Sequence, residues 1–193
     1  NPKVTVGSNI MPSEIIFDNF TLNYTLDGNS IQSGVFTQKG GGTTTISNTN
    51  SFASATIGGG NVVVTSLANE SGVDLGSLGD VNTPITIKKC GALQTSSAIN
   101  TTQKITIGED GGGFNVTGNT LTLDAQLNGG KNPVFKRGSG TLVFSSSAVN
   151  NNFGVFTVEA GTVQCEADFG TATTTFKDTL VLSNGTTLRH NNG

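Results

Sequence analysis

Apolar residues along this chain recur at every second position and nowhere at a helical spacing. Phe20, Leu22, Tyr24 and Leu26 share one parity, as do Leu121, Leu123, Ala125 and Leu127. This predicts strands with one face to bury and one to leave in water. Thr, Asn and Ser fill most positions between. Clusters such as Asp27-Gly28-Asn29, Asn69-Glu70-Ser71-Gly72, Glu109-Asp110-Gly111-Gly112-Gly113 and Asn184-Gly185 punctuate the strands with the residues that turns require. Alternation of this kind suits a sandwich, a barrel or a solenoid equally; what separates them is whether the chain repeats itself.

It does. Lys39-Gly40-Gly41-Gly42-Thr43 lies over Arg137-Gly138-Ser139-Gly140-Thr141 at an offset of 98, and Thr44 and Ile46 then lie over Leu142 and Phe144. After a three-residue insertion the offset becomes 101, and Asn50, Phe52, Thr56, Ile57, Gly60 and Val62 fall over Asn151, Phe153, Thr157, Val158, Gly161 and Val163. Further on, Ile85, Ile87 and Leu93 correspond to Leu180, Leu182 and Leu188 at an offset of 95. Residues 1–193 therefore read as one solenoid segment of a longer protein, with internal repeats at approximately 19–97 and 104–192. Coils of ~20–25 residues give about eight or nine turns, and a strand spacing of ~4.8 Å gives a rod roughly 40 Å long. Glycines recurring beside alternating strands predict corners with positive φ or close backbone approach, at equivalent bends in the two copies.

In the stretch from Thr43 to Val64, parity points Thr44, Ile46, Ala55, Ile57, Val62 and Val64 inward and Thr43, Thr45, Thr56 and Val63 outward or toward turns. Cys165 falls over Val64, which places it in the core. Outward Thr, Ser and Asn are expected to stack on their like in adjoining coils, so that the Asn-rich turns are structural.

Composition narrows the class. Charged residues are 12% of the chain, with eleven Phe, one Tyr, one Met and no Trp, against about a quarter charged in ordinary domains. Net charge is −3, and the only adjacent basic pairs are Lys88-Lys89 and Lys136-Arg137, which leaves no footprint for nucleic acid. No apolar run reaches the ~20 residues of a membrane helix, and no signal-peptide pattern opens the chain. Cys90 and Cys165 stand 75 apart with no CxxC; a disulfide is one reading, two small buried hydrophobes the preferred one.

The segment "FKRGSGTLVFSSSAVNNNFGVFTVEAGTVQ" (135–164), with its first copy "TQKGGGTTTISNTNSFASATIGGGNVVV", resembles the autotransporter-associated β-strand repeat, also called the passenger-associated transport repeat. Its frame of K-x-G-x-G-T-L, N-x-Y-x-G and G-T-L is followed here through Lys39, Gly40, Gly42, Thr43, Phe52 and Gly60, and again through Arg137, Gly138, Gly140, Thr141, Phe153 and Gly161. Phe stands in place of Tyr, Ser54 and Val155 in place of the glycine two residues later, and Arg137 in the second place of the usual Lys-Thr pair. The resemblance implies a right-handed parallel β-helix from a large bacterial surface or secreted protein. No catalytic residue belongs to such a repeat.

Parallel β-helices also host polysaccharide lyases and hydrolases, which need carboxylates gathered on one face. Here Asp18, Asp27, Asp74, Asp80, Asp124 and Asp178 are isolated, and only Glu109-Asp110 and Glu166-Ala167-Asp168 are close in sequence. The first reads as a solvated corner; the second could hold a cation on one outer face. His190 is the single histidine, read as an exposed turn residue, and gives no triad. "RGSGTL" and "KGGGTT" lack the ending of a phosphate loop. Six Asn-x-Ser/Thr sequons begin at Asn19, Asn23, Asn69, Asn100, Asn115 and Asn184; in a bacterial protein they carry little.

The expectation is an all-β, non-enzymatic structural module without cofactor or metal, extracellular or on the bacterial cell surface: a stalk, passenger or filament-forming segment. Its partners would be neighbouring segments of the same protein or further copies stacked end to end, with no nucleic acid and no membrane insertion. An alternative is a glycan-binding adhesin using Tyr24, Phe52, Phe114, Phe153 or Phe169 as a platform. A weaker one is a lyase or hydrolase.

Overall fold

The computed structural model describes residues 1–70, 72, 75–148, 151–166 and 179–191. Among them every element is a strand, and the strands form parallel sheets of nine, six and five, with one antiparallel hairpin, Leu75–Gly76 and Gly79–Asp80. One column of partners shows the winding: Lys3 lies on Thr25, Thr25 on Thr45, Thr45 on Val63, Val63 on Gln94, Gln94 on Asn115 and Asn115 on Arg137. Each step advances 18 to 22 residues, except that from Val63 to Gln94, which takes 31 because the hairpin is inserted there. The fold is a β-solenoid of about eight turns, and purely parallel pairing is what winding in one direction requires.

Middle coils have three sides: Gly91–Thr95 in the nine-stranded sheet, Ile99–Thr101 in the five-stranded one and Ile105–Ile107 in the six-stranded one. In the first coils the five-stranded side is missing, and an isolated bridge, Ile10 to Ile31, stands between the other two. In the last coils the six-stranded side shrinks to the bridge from Asn128 to Asn152.

The inward positions fill one continuous apolar core from Val6 to Cys165. Thr44, Ile46, Ala55, Ile57, Val62 and Val64 are all buried, as their parity predicts. Outside, threonines stack in register: Thr37, Thr56, Thr86 and Thr106 on the six-stranded sheet, and Thr120, Thr141, Thr162 and Thr187 on the five-stranded one. Identical β-branched neighbours pack well on such a column.

Several expectations need correction. Phe20 and Leu22 belong to no strand and are exposed, because the chain bends before Tyr24–Gly28 begins. Ala125 sits in a bend between Thr120–Leu123 and Leu127–Asn128, strands of different sheets. Val63 faces outward but is buried, with Thr45 and Gln94 in register on either side. Cys165 is in the core, whereas Cys90 is exposed in a left-handed corner (φ 59) with no disulfide between them. His190 ends the strand Thr187–His190, exposed and in register with Cys165, instead of lying in a turn.

The two copies do not stand on the same edge of the solenoid. Thr43–Ile46 and Asn61–Val64 lie in the nine-stranded sheet, but their counterparts Thr141–Phe144 and Thr162–Cys165 lie in the five-stranded one. Likewise Ser54–Ile57 belongs to the six-stranded sheet and Phe156–Val158 to the nine-stranded. The second copy is turned by one face, since an offset of 98 to 101 is not a whole number of coils.

Candidate functional sites at the glycine corners

The repeat builds the same two local devices in each copy. The first is a tight glycine corner joining two strands over a buried polar side chain. In the first copy this is Gln38, with no exposed surface. Its Nε2 donates to Asn19 Oδ1 at 2.7 Å and to the Gly40 carbonyl at 3.1 Å, while its Oε1 accepts from the Thr44 hydroxyl at 2.6 Å. In the second copy the position belongs to Lys136, equally buried, whose Nζ donates to the Gly138 carbonyl at 2.6 Å and the Ala160 carbonyl at 2.9 Å. Burial pushes the Lys136 ammonium down to about 8, because desolvation disfavours the charged form.

Gly60 and Gly161 close these corners in the left-handed region, at φ 58 and 75. A side chain on Gly60 would overlap the carbonyl oxygens of Gly42 and Gly40; one on Gly161 would meet those of Gly138 and Gly140. The recurring Lys/Arg-Gly-x-Gly-Thr frame thus keeps a row of corner carbonyls close together, and the buried head satisfies them. Lys39 and Arg137 themselves are exposed. Arg137 pairs with Glu159 through Nε and Nη2 at 2.8 and 3.2 Å, and its guanidinium lies 3.8 Å from the Phe135 ring centre. Thr43 and Thr141 face outward, half-buried.

The second device is a longer arc carrying Asn-x-Phe. Asn50 and Asn151 are buried. Asn50 Oδ1 accepts the Ile31 N–H of the preceding coil at 3.0 Å, and Asn151 Oδ1 accepts that of Leu127 at 2.6 Å. Asn50 Nδ2 donates to the Ser77 carbonyl at 2.8 Å, and Asn151 Nδ2 to the Ala148 carbonyl. Two residues on, Phe52 packs against Phe36 and Phe153 against Phe156, with centroids 5.6 and 5.4 Å apart. The amide replaces a missing ladder bond and the ring anchors the arc in the core.

Sequence reasoning missed Gln38 and Lys136, although the same offset of 98 superposes them. Val134 and Phe135 in "VFKR" are both apolar, so polarity leaves the parity of this strand open; register decides it, with Val134 and Lys136 inward and Phe135 lying outward over Gly113.

Other candidate chemistry is dispersed. Asp27 pairs with Lys3 at 2.6 Å, and that ammonium holds its carboxyl below the usual range. Asp80 accepts from the Asn82 N–H and the Thr83 hydroxyl at 2.9 and 3.1 Å, closing a turn. Glu109 and Asp110 are exposed, Asp110 at φ 61; Asp18 is exposed and Asp124 half-buried. Among the described residues no three metal-ligating side chains gather. Asp74, Asp178 and Phe169 lie outside the described residues, as does Asp168, so the proposed Glu166–Asp168 cation pair does too. Phe52, Phe114 and Phe153 are buried and Tyr24 packs half-buried against the core, so these four aromatics form no outward platform. Asn19 is buried, which bars that sequon in the folded chain.

Compared with protein-family models, curated proteins and solved structures, the chain matches none.

Proposed function

We propose that this chain is a non-enzymatic structural module, a stalk, passenger or filament-forming segment of a large extracellular bacterial surface protein, whose coils continue onto a neighbouring solenoid segment or a second copy. One observation carries the reading: inward-facing side chains are exposed at both ends of the nine-stranded sheet. Val4 stands in the inward column of Leu26 yet is 42% exposed, and Leu182 stands in the column of Val158 yet is 46% exposed. Met11, Phe20 and Leu22 add apolar surface beside the first strands. The outermost strands, Lys3–Val6 and Leu180–Leu182, each have one neighbour in the sheet. An open parallel edge with apolar side chains is a template for another coil.

The buried polar heads support the same role. Gln38, Asn50, Lys136 and Asn151 spend their hydrogen bonds on holding the coils, which favours rigidity over ligand exchange. Sedimentation and negative-stain imaging of the purified chain are expected to show concentration-dependent end-to-end particles, reduced by Phe20→Asp with Leu22→Asp. A strict monomer at all concentrations overturns the self-stacking form.

A further inference from the structure

A cavity of about 390 Å³ opens on the edge between the six- and nine-stranded sheets, lined by Thr37, Gln38, Lys39, Thr56, Lys88 and Lys89 together with Gly58. Three of the chain's ten basic residues meet there. The winding brings them together: Lys39 follows the strand Val35–Gln38, Gly58 follows Ser54–Ile57, and Lys88 and Lys89 follow Ile85–Ile87, in three successive coils of one sheet. The middle coil carries no side chain at this rank, and that leaves the space.

None of the three lysines makes an ion pair among the described residues, where the salt bridges are Lys3–Asp27 and Arg137–Glu159. The nearest carboxylates are Glu14, whose Oε1 accepts from the Thr37 hydroxyl at 3.5 Å, and Asp18, both in the coil before Lys39, and Glu109 and Asp110 in the coil after Lys88; all are exposed and, among the described residues, none pairs with a lysine of the cavity. Lys89 is held in a left-handed corner (φ 52) by its N–H bond to the Glu109 carbonyl at 2.8 Å. The lining itself holds three ammonium groups and no carboxylate, the acids standing on the coils to either side, so an anion entering the concavity meets the cations first.

We propose that this cavity binds an acidic saccharide, its carboxylate or sulfate groups held by Lys39, Lys88 and Lys89 and its hydroxyls by Thr37 and Thr56. The cavity is at the small end of ligand clefts, and the column of Thr37, Thr56, Thr86 and Thr106 continues from it as a flat row of hydroxyls along which a chain of sugars can lie. Three cations with no exposed stacking aromatic among the lining residues suit a polysaccharide better than a nucleic acid, which draws on more phosphate contacts and on base stacking.

Binding would be measured by calorimetry with polygalacturonate, dextran sulfate, neutral dextran and a DNA duplex at 50 and 300 mM salt. The expected result is binding of one or both acidic polysaccharides, none of dextran, and at least tenfold loss at the higher salt. Lys39→Gln/Lys88→Gln/Lys89→Gln should lose at least tenfold while keeping the wild-type melting curve; Lys131→Gln/Arg189→Gln should bind as wild type. Polygalacturonate alone or dextran sulfate alone identifies the anionic group as a uronate or a sulfate ester. The proposal is overturned by absence of binding at 50 mM salt, by equal loss in both variants, or by DNA binding as tightly as the saccharides.

Discussion

The corner over Gln38 and the corner over Lys136 hold the same carbonyl row with different chemistry, and their neighbours differ accordingly. An amide both donates and accepts, so Gln38 needs a hydroxyl for its Oε1, and Thr44 supplies it at 2.6 Å. An ammonium only donates. Where Lys136 takes the position, the residue over Thr44 is Leu142, fully buried and apolar. Polar partner and polar head are exchanged together, so what the repeat preserves is satisfaction of the corner, not a residue. The copies also differ in which edge of the solenoid they occupy, yet corner and arc survive the rotation. The repeat therefore encodes strand–corner–strand geometry, and two different edges of the three-sided coil accept it.

The glycines that close the corners offer the most severe test of this equivalence. Gly60→Ala and Gly161→Ala each force a left-handed non-glycine residue and push a methyl group into backbone oxygens of the adjoining coil. Each is expected to cost about 5 kcal/mol, at the upper end of single substitutions, measured by urea unfolding followed by circular dichroism. A large loss at one site with little at the other would separate the two corners.

The aromatic anchors come next. Phe52→Ala and Phe153→Ala leave cavities in the same core and should each cost about 3–5 kcal/mol, with the two values within about 1 kcal/mol of each other. Phe153 touches both Phe144 and Phe156, whereas the ring contact of Phe52 is to Phe36, so any difference should fall on Phe153.

These four residues were legible before the fold because glycine and an apolar ring leave strong marks at a fixed offset. The strand parities from Thr44 to Val64 were legible for the same reason, each inward side chain being apolar or small. The heads of the corners were not. Lysine at an inward position contradicts the polarity pattern, and only the carbonyls of Gly138 in its own corner and of Ala160 in the adjoining coil make it tolerable. The lysine cavity was invisible too, since Lys39 and Lys88 are far apart in sequence and meet through coil register. Phe20 and Leu22 kept strand parity through a bend that parity cannot reveal.

Titration separates the two heads. Lys136 has a folded value of about 8 against an ordinary 10.5, so between those values the unfolded chain holds the extra proton and stability rises with pH. Relative to Lys136→Gln, wild type should gain stability from about pH 8 to 10.5, by at most about 3 kcal/mol, and show no differential slope below pH 7. Gln38→Leu should give no such slope. At neutral pH, Lys136→Gln should lose about 1–3 kcal/mol because its Oε1 faces Leu142. Adding Leu142→Thr should recover part of that loss by rebuilding the Gln38–Thr44 pair in the second corner; a double variant no better than the single one breaks the exchange argument.

The smallest expected difference lies outside the corners, where Lys39 and Arg137 superpose. Arg137 is fixed by Glu159 and by the Phe135 ring; Lys39 has neither. The pair is solvent-exposed, 45% and 41% for its two side chains, so water and salt screen it and Arg137→Ala should cost only about 0.2–1 kcal/mol, less at high ionic strength. Lys39→Ala should cost nothing measurable in stability, since its ammonium bonds no described residue, and should register only in binding at the cavity. Equal stability losses at the two positions would mean that the outer face of the repeat matters to folding. A loss at Arg137 alone, fading with salt, assigns that face to electrostatics added after the corner was built.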